Sequence, residues 1–103
     1  MKMKVFIDSR IGSFIDNLSE ELQADVWEYI KLLEDNGFTL FPPVFKKLSG
    51  HKLWELRPKN VRLLLGKIKD GVVVVVGFYK TTNQTPQRHI KLALERMKLW
   101  QTK

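Results

Sequence analysis

The most constraining feature of the chain is the run Val72-Val73-Val74-Val75-Val76-Gly77-Phe78, which comes after an Asp70-Gly71 turn. A stretch that is β-branched and apolar at nearly every position has no polar face to show to water. It therefore reads as a strand buried on both sides. Asp-Gly tolerates the positive φ angles of the primed hairpin turns, so residues 72–78 should pair antiparallel with residues 61–68 just before them. The run is also far too short to cross a bilayer, where a spanning helix needs about 20 apolar residues. A chain of 103 residues that spends a strand this way is read as a single domain over residues 1–103, with no room for a second core.

The rest of the chain supplies partners for that strand. Met3, Val5 and Ile7 alternate with Lys4, giving a short first strand. Asp8 or Ser9 can cap a helix carrying Ile11, Phe14, Ile15 and Leu18 at helical spacing. A second helix starts near Ser19, with Glu20 and Glu21 where the macrodipole favours anions. Its apolar stripe is Leu22, Val26, Ile30 and Leu33, joined by Trp27 and Tyr29, and Asn36-Gly37 stops it. Phe41-Pro42-Pro43 reads as an extended connector, anchored by Phe45 and Leu48 while Lys46 and Lys47 stay in water. Trp54 and Leu56 alternate with Leu53, Glu55 and Arg57, so this segment, residues 61–68 and residues 72–78 form a meander. Thr85 at the cap and Pro86 at the first position open a last helix with Ile90, Ala93, Leu94, Met97 and Trp100 on its buried stripe. The expected architecture is α+β, in the order β-α-α-β-β-β-α, with a small curved and mainly antiparallel sheet.

Charge is unevenly divided. Residues 1–45 carry four basic against eight acidic side chains, a net of −4, while residues 46–103 carry fourteen against three, a net of +11. Within one domain this implies an electropositive face built by the second half, and the commonest partner for such a face is nucleic acid. The alternative is a basic surface that only confers solubility. There are no cysteines, which removes disulfides, thiolate metal sites and cysteine nucleophiles together. No signal-peptide pattern is visible before the first strand, so a cytoplasmic protein is expected.

Few groups offer chemistry. The two histidines, His51 and His89, stand in no metal-ligand spacing, so no metal or other cofactor is expected. His51 reads as a solvated turn residue. His89, in the first turn of the last helix, is a candidate general base or an exposed side chain. No glycine-rich phosphate loop exists, and the serines lack companion groups for a triad. What remains is cationic. Arg57 ends one strand and Arg62 begins the next across a short connection, so the two can converge, and Lys80 comes directly after the buried strand. Guanidinium groups grip phosphate bidentately and stabilise the charge of phosphoryl transfer. The competing reading gives Arg57 to Glu55 or to a carboxylate of the helical pair. Lys46, Lys47, Lys52, Arg88, Lys91 and Lys98 are candidate nucleic-acid-binding positions around this trio. Trp27, Trp54 and Trp100 fall on stripes read as core, which leaves Tyr79 and Phe41 as stacking candidates.

Leu53-Trp54-Glu55-Leu56-Arg57, then Val61-Arg62-Leu63, Gly77-Phe78-Tyr79-Lys80 and Thr85-Pro86 with Ile90 and Ala93, resemble the HigB branch of the RelE/ParE toxin superfamily. That branch includes many phage-derived proteins, and the resemblance runs over nearly the whole chain in element order. It implies a RelE-like fold and the toxin of a type II toxin–antitoxin system. The implied activity is an endoribonuclease, an mRNA interferase that cuts messenger RNA on the ribosome. In that chemistry the ribose 2′-hydroxyl attacks the adjacent phosphate without a metal. By the same resemblance Arg57 and Arg62 hold the phosphate and Lys80 neutralises charge or protonates the leaving group. The partners implied are ribosome-bound mRNA and a helix-turn-helix antitoxin of the HigA type, with a monomer inside the heterocomplex. The chain departs from the family pattern at Thr81, at Asn83-Gln84 and at His89, where relatives often place lysines and an acidic residue. Its loop is therefore less basic, and His89 stands as a substitute acid or base. Two other functions fit the same fold: a ParE-like inhibitor of DNA gyrase, and an inactive remnant that only binds an antitoxin.

Overall fold

The valine run does become the spine of the molecule. In the computed structural model, which describes residues 2–102, nine elements succeed one another. They are β1 (Val5–Ile7), α1 (Ser9–Asp16), α2 (Glu20–Asn36), a 3₁₀ turn (Gly37–Thr39), β2 (Phe45–Lys47), β3 (Trp54–Leu56), β4 (Val61–Ile68), β5 (Gly71–Tyr79) and α3 (Gln87–Gln101). The sheet is open and mixed, in the order β1-β5-β4-β3-β2. β5 pairs antiparallel with β4 from Ile68↔Gly71 to Val61↔Tyr79 and parallel with β1; the hairpin turns on Lys69-Asp70, neither at positive φ, so the expected pairing forms without the primed Asp-Gly turn. Gly71 has φ 154°, and a Cβ there would run into the Lys4 carbonyl oxygen, so only glycine fits where β1 meets this turn.

Each sheet face carries its own core. Ile11 and Ile15 of α1 and Val26, Ile30 and Leu33 of α2 pack on Leu56, Leu63, Leu65, Val72 and Val74. Ile90, Ala93 and Met97 of α3 pack on Leu64, Val73, Val75, Val76 and Phe78. The acidic first half of the chain thus lies on one face and the basic last helix on the other. The small RelE-like α+β fold expected from the sequence is what forms. Among the described residues no helix is long and apolar enough to cross a membrane.

Three local expectations are corrected. Residues 45–47 are not merely a connector: they form β2, an edge strand against β3, so the order gains a fourth strand after the helices. Three residues, two of them exposed lysines, display no alternation to read; lysines on an edge also deter further pairing. Secondly, α3 begins one residue later than expected, with Pro86 at the cap, because the Thr85 hydroxyl is spent on Glu55 instead. Thirdly, Trp27 is 47% exposed, on the outer side of α2, and does not belong to the core, while Trp54 and Trp100 are half-buried. Of the two candidates for the first cap it is Asp8 that serves, accepting from the Arg10 N–H, and Ser19, near which the second helix is expected to start, caps it by accepting from the Leu22 N–H.

A single irregularity in β5 decides which side chains reach which face. Leu64 faces Val76 and Leu65 faces Val74, which leaves Val75 as an extra residue, a β-bulge. Side-chain parity flips there, so Val73 and Val75, then Val76 and Phe78, all join the core under α3. Gly77 and Tyr79 turn the other way, against Phe14 of α1. The Val75 carbonyl that the bulge turns out of register accepts a 2.7 Å hydrogen bond from Arg96 Nη1.

Candidate functional site

The turn between β3 and β4 gathers the cationic residues. Lys59 sits in the left-handed region at φ 56°, and its carbonyl accepts from Arg62 Nη1 at 2.7 Å. The same nitrogen donates to the Val61 carbonyl at 2.9 Å. Arg62 is only 7% exposed, yet one of its nitrogens takes both backbone bonds, leaving Nε and Nη2 without a hydrogen bond among the described residues. Burial and the neighbouring Arg57 charge hold the Arg62 guanidinium below its ordinary value, with Glu55 pulling the other way. Around it the backbone is tied down: Arg57 N–H donates to Val44 (2.9 Å) and Lys80 N–H to Asn60 (2.7 Å). The end of β5 is thereby fixed to the turn that orients Arg62.

Arg57 and Arg62 do converge. Both line a cleft of about 220 Å³ whose other walls are Tyr29, Pro43 and Val44. Arg57 Nε is buried and makes no hydrogen bond among the described residues; its nearest acidic atom is Glu55 Oε1, at 3.5 Å. Lys80 is brought to Arg62 from the opposite side. It lines a narrow crevice with Glu55, Arg62, Phe78 and the loop of residues 81–86. Arg62 therefore forms the partition between the two hollows, with Arg57 in one and Lys80 in the other. The β5 bulge is what puts Phe78 across from Arg62 on the α3 side of the sheet.

The remaining sequence candidates scatter. His89 lies flat on Phe78, with ring centroids 4.0 Å apart and planes 11° apart, and lines neither arginine hollow. Burial first, then the Arg88 charge, lower its pKa below 6.5. Tyr79 is exposed on the α1 side, its ring edge-on to Phe14 at 5.9 Å, away from Arg62. Lys46 stands across from Glu55 in the β2–β3 register and lines a groove that runs to residues 83–87. Lys47 donates to the His51 carbonyl at 2.7 Å. With Lys52 it lines a separate hollow beside Trp54 and Lys67. Arg88, Lys91 and Lys98 are exposed on α3 and touch neither arginine hollow. Phe41 is 66% exposed.

Two residues of the site are not evident from sequence. Tyr29 falls beside the apolar stripe of α2 and reads as part of it, although it lines the arginine cleft. Glu55 reads only as a possible partner of Arg57; it is 3% exposed and accepts a 2.6 Å hydrogen bond from the Thr85 hydroxyl. Its place on the same side of the strand as Leu53, a core residue, is the available signal. Among the described residues no three His, Asp or Glu side chains come together in a way that would hold a metal ion. Two guanidinium groups with unspent donors in one cleft suit a bidentate oxyanion such as a phosphate diester.

The fold is that of a small RelE-like α+β domain, with an arginine pair at the end of its sheet. The chain is a member of the family described as phage derived protein Gp49-like (DUF891), whose profile matches residues 13–98, and that family is associated with RelE and toxin-like proteins. Among curated proteins none matches the chain significantly.

Proposed function

We propose that the protein is the toxin of a type II toxin–antitoxin pair and acts as a metal-independent endoribonuclease on mRNA held by the ribosome. The observation that carries this reading is the under-bonded guanidinium pair facing one cleft, Arg62 buried and Arg57 half-buried. In this reading the scissile phosphate sits against the pair. The 2′-hydroxyl oxygen attacks phosphorus, its proton passes to a base, the bond to the 5′-oxygen breaks, and that oxygen takes a proton. A cyclic phosphate and a free 5′-hydroxyl result. Arg57 and Arg62 offset the extra negative charge of the five-coordinate phosphorus, and Lys80, on the far side of Arg62, serves the leaving oxygen. His89, packed on Phe78, is left out. RNA approaches over the basic half of the molecule, with Lys46 at the mouth of the groove to residues 83–87. The antitoxin partner is a helix-turn-helix protein of the HigA type that covers this basic side.

The test is inducible expression of wild type, Arg62→Ala and Arg62→Lys, with primer extension on an abundant transcript. Wild type should arrest growth and leave discrete in-frame cuts; both variants should lose the cuts. Lysine fails because its single nitrogen, placed where Nη1 now holds the two backbone carbonyls, leaves no second nitrogen for a bidentate grip on phosphate, and losing such a donor costs about 100- to 1,000-fold in rate. Arrest with intact transcripts overturns the reading in favour of a target such as gyrase. Harmless expression overturns it in favour of an inactive antitoxin-binding remnant.

A further inference from the structure

The carboxylate at the centre of this site has no part in the proposed reaction, yet it is among the least accessible charged groups of the chain. Glu55 lies in β3 between Lys46 of β2 and Leu64 of β4, at 3% exposure. A carboxylate at that depth costs free energy unless it is bonded or paired. Its two oxygens are committed in different ways. Oε2 accepts the Thr85 hydroxyl at 2.6 Å, a firm bond to the foot of the loop that joins β5 to α3. Oε1 stands 3.5 Å from Arg57 Nε, close enough to fix the guanidinium by charge but too long to be a hydrogen bond to it. The same carboxylate borders the crevice that contains Arg62 and Lys80.

We infer that Glu55 is a positioning residue: it holds Arg57 and the loop of residues 80–85 on opposite sides of Arg62, so that the three cations meet one phosphate in a fixed geometry. The inference rests on the reading of the cleft as a phosphate site. Two guanidinium groups lining one cleft repel each other when it is empty, and a carboxylate beside them offsets that repulsion. The loose 3.5 Å contact lets Arg57 keep its remaining donors for the incoming phosphate. The tight bond to Thr85 does the opposite for the loop, which is otherwise exposed from residue 80 to residue 84. Glu55 is not the base in this scheme, since both of its oxygens already face a donor.

The experiment compares wild type with Glu55→Gln, Thr85→Val and Thr85→Ser, using cleavage of ribosome-bound mRNA in a purified translation system. Glu55→Gln keeps the shape and removes the charge; Thr85→Val removes only the hydroxyl. Each should lower kcat about 10- to 100-fold with KM within about threefold, as expected for misplaced groups. Thr85→Ser should stay within about twofold of wild type. A readout independent of activity is the Arg57 Nε–H resonance in an NMR spectrum. It should move in Glu55→Gln and stay in place in Thr85→Val, because the two residues grip different oxygens. Titration with inorganic phosphate should perturb that resonance in wild type and less in Glu55→Gln. Wild-type kcat in Glu55→Gln overturns the inference, as does an unmoved Arg57 resonance or activity that merely tracks the folded fraction in thermal melts. If wild type cuts no RNA, the nuclease reading fails by itself, and the resonance and phosphate titration still decide the role of Glu55.

Discussion

Asp8 offers the sharpest test of how the two halves of the fold are joined. It caps α1 through the Arg10 N–H at 3.0 Å, takes the Arg10 side chain at 2.8 and 2.7 Å, and accepts the Trp100 indole N–H of α3 at 2.8 Å. It is 3% exposed. Replacing it with alanine removes an N-cap, about 1 kcal/mol, and a charge-assisted bond to the indole, about 1.5–3 kcal/mol. The Arg10 side chain is 49% exposed, so its ion pair counts only at the surface value of up to about 1 kcal/mol. These contributions overlap, and Asp8→Ala should cost about 3–4 kcal/mol at neutral pH. Asp8→Asn keeps an oxygen for the cap and should cost about half of that. Acid adds a test of sign. Hydrogen bonds from the Arg10 side chain outweigh the opposing effect of burial, and with Trp100 they hold the Asp8 carboxyl below its ordinary value of 3.8. A depressed carboxyl contributes stability above its ordinary value and loses it as pH falls below. The penalty of Asp8→Asn should therefore shrink between about pH 7 and about pH 3 in urea denaturation of both proteins. A neutral-pH loss for Asp8→Ala below about 1 kcal/mol, or a penalty for Asp8→Asn that does not shrink in acid, would refute the reasoning.

Arg96→Met should cost about 1–2 kcal/mol in the same denaturation assay, because the Val75 carbonyl at the bulge loses its donor while a guanidinium disfavoured by burial is removed. Unchanged stability would mean that the bulge does not depend on it. His89→Phe should preserve the stack on Phe78 and leave RNA cleavage within about threefold of wild type, where loss of a true acid–base group costs about 100-fold or more. It should also abolish one feature of the pH dependence. His89 is held below its ordinary 6.5 mainly by burial, so wild type loses stability as pH falls through 6.5 toward the lower folded value, and the variant should lose less over that window.

The elements whose hydrophobic period is long and clean are legible from sequence, and the site is legible only in part. Residues 72–78 and the stripe of α2 announce themselves, because each involves several residues repeating one physical requirement. β2 does not, since three residues cannot display a period, and Trp27 misleads because an aromatic beside a stripe looks like part of it. Convergence of Arg57 and Arg62 comes from a short turn between two strands, a local constraint that any register preserves. The placement of Lys80 beside Arg62 has no such local source. Strict alternation along β5 from Val72 would keep residue 80 on the side of Val72 and Val74, the α1–α2 side. One extra residue at Val75 reverses the parity of everything after it, and nothing in a run of five valines marks which one is surplus. The mark lies in α3: Arg96 donates to the carbonyl that the bulge turns aside. A charged side chain on the buried half of the last helix is therefore the trace, in the sequence, of an irregularity in a distant strand. The face on which Lys80 works is set by that pairing as much as by its own neighbourhood.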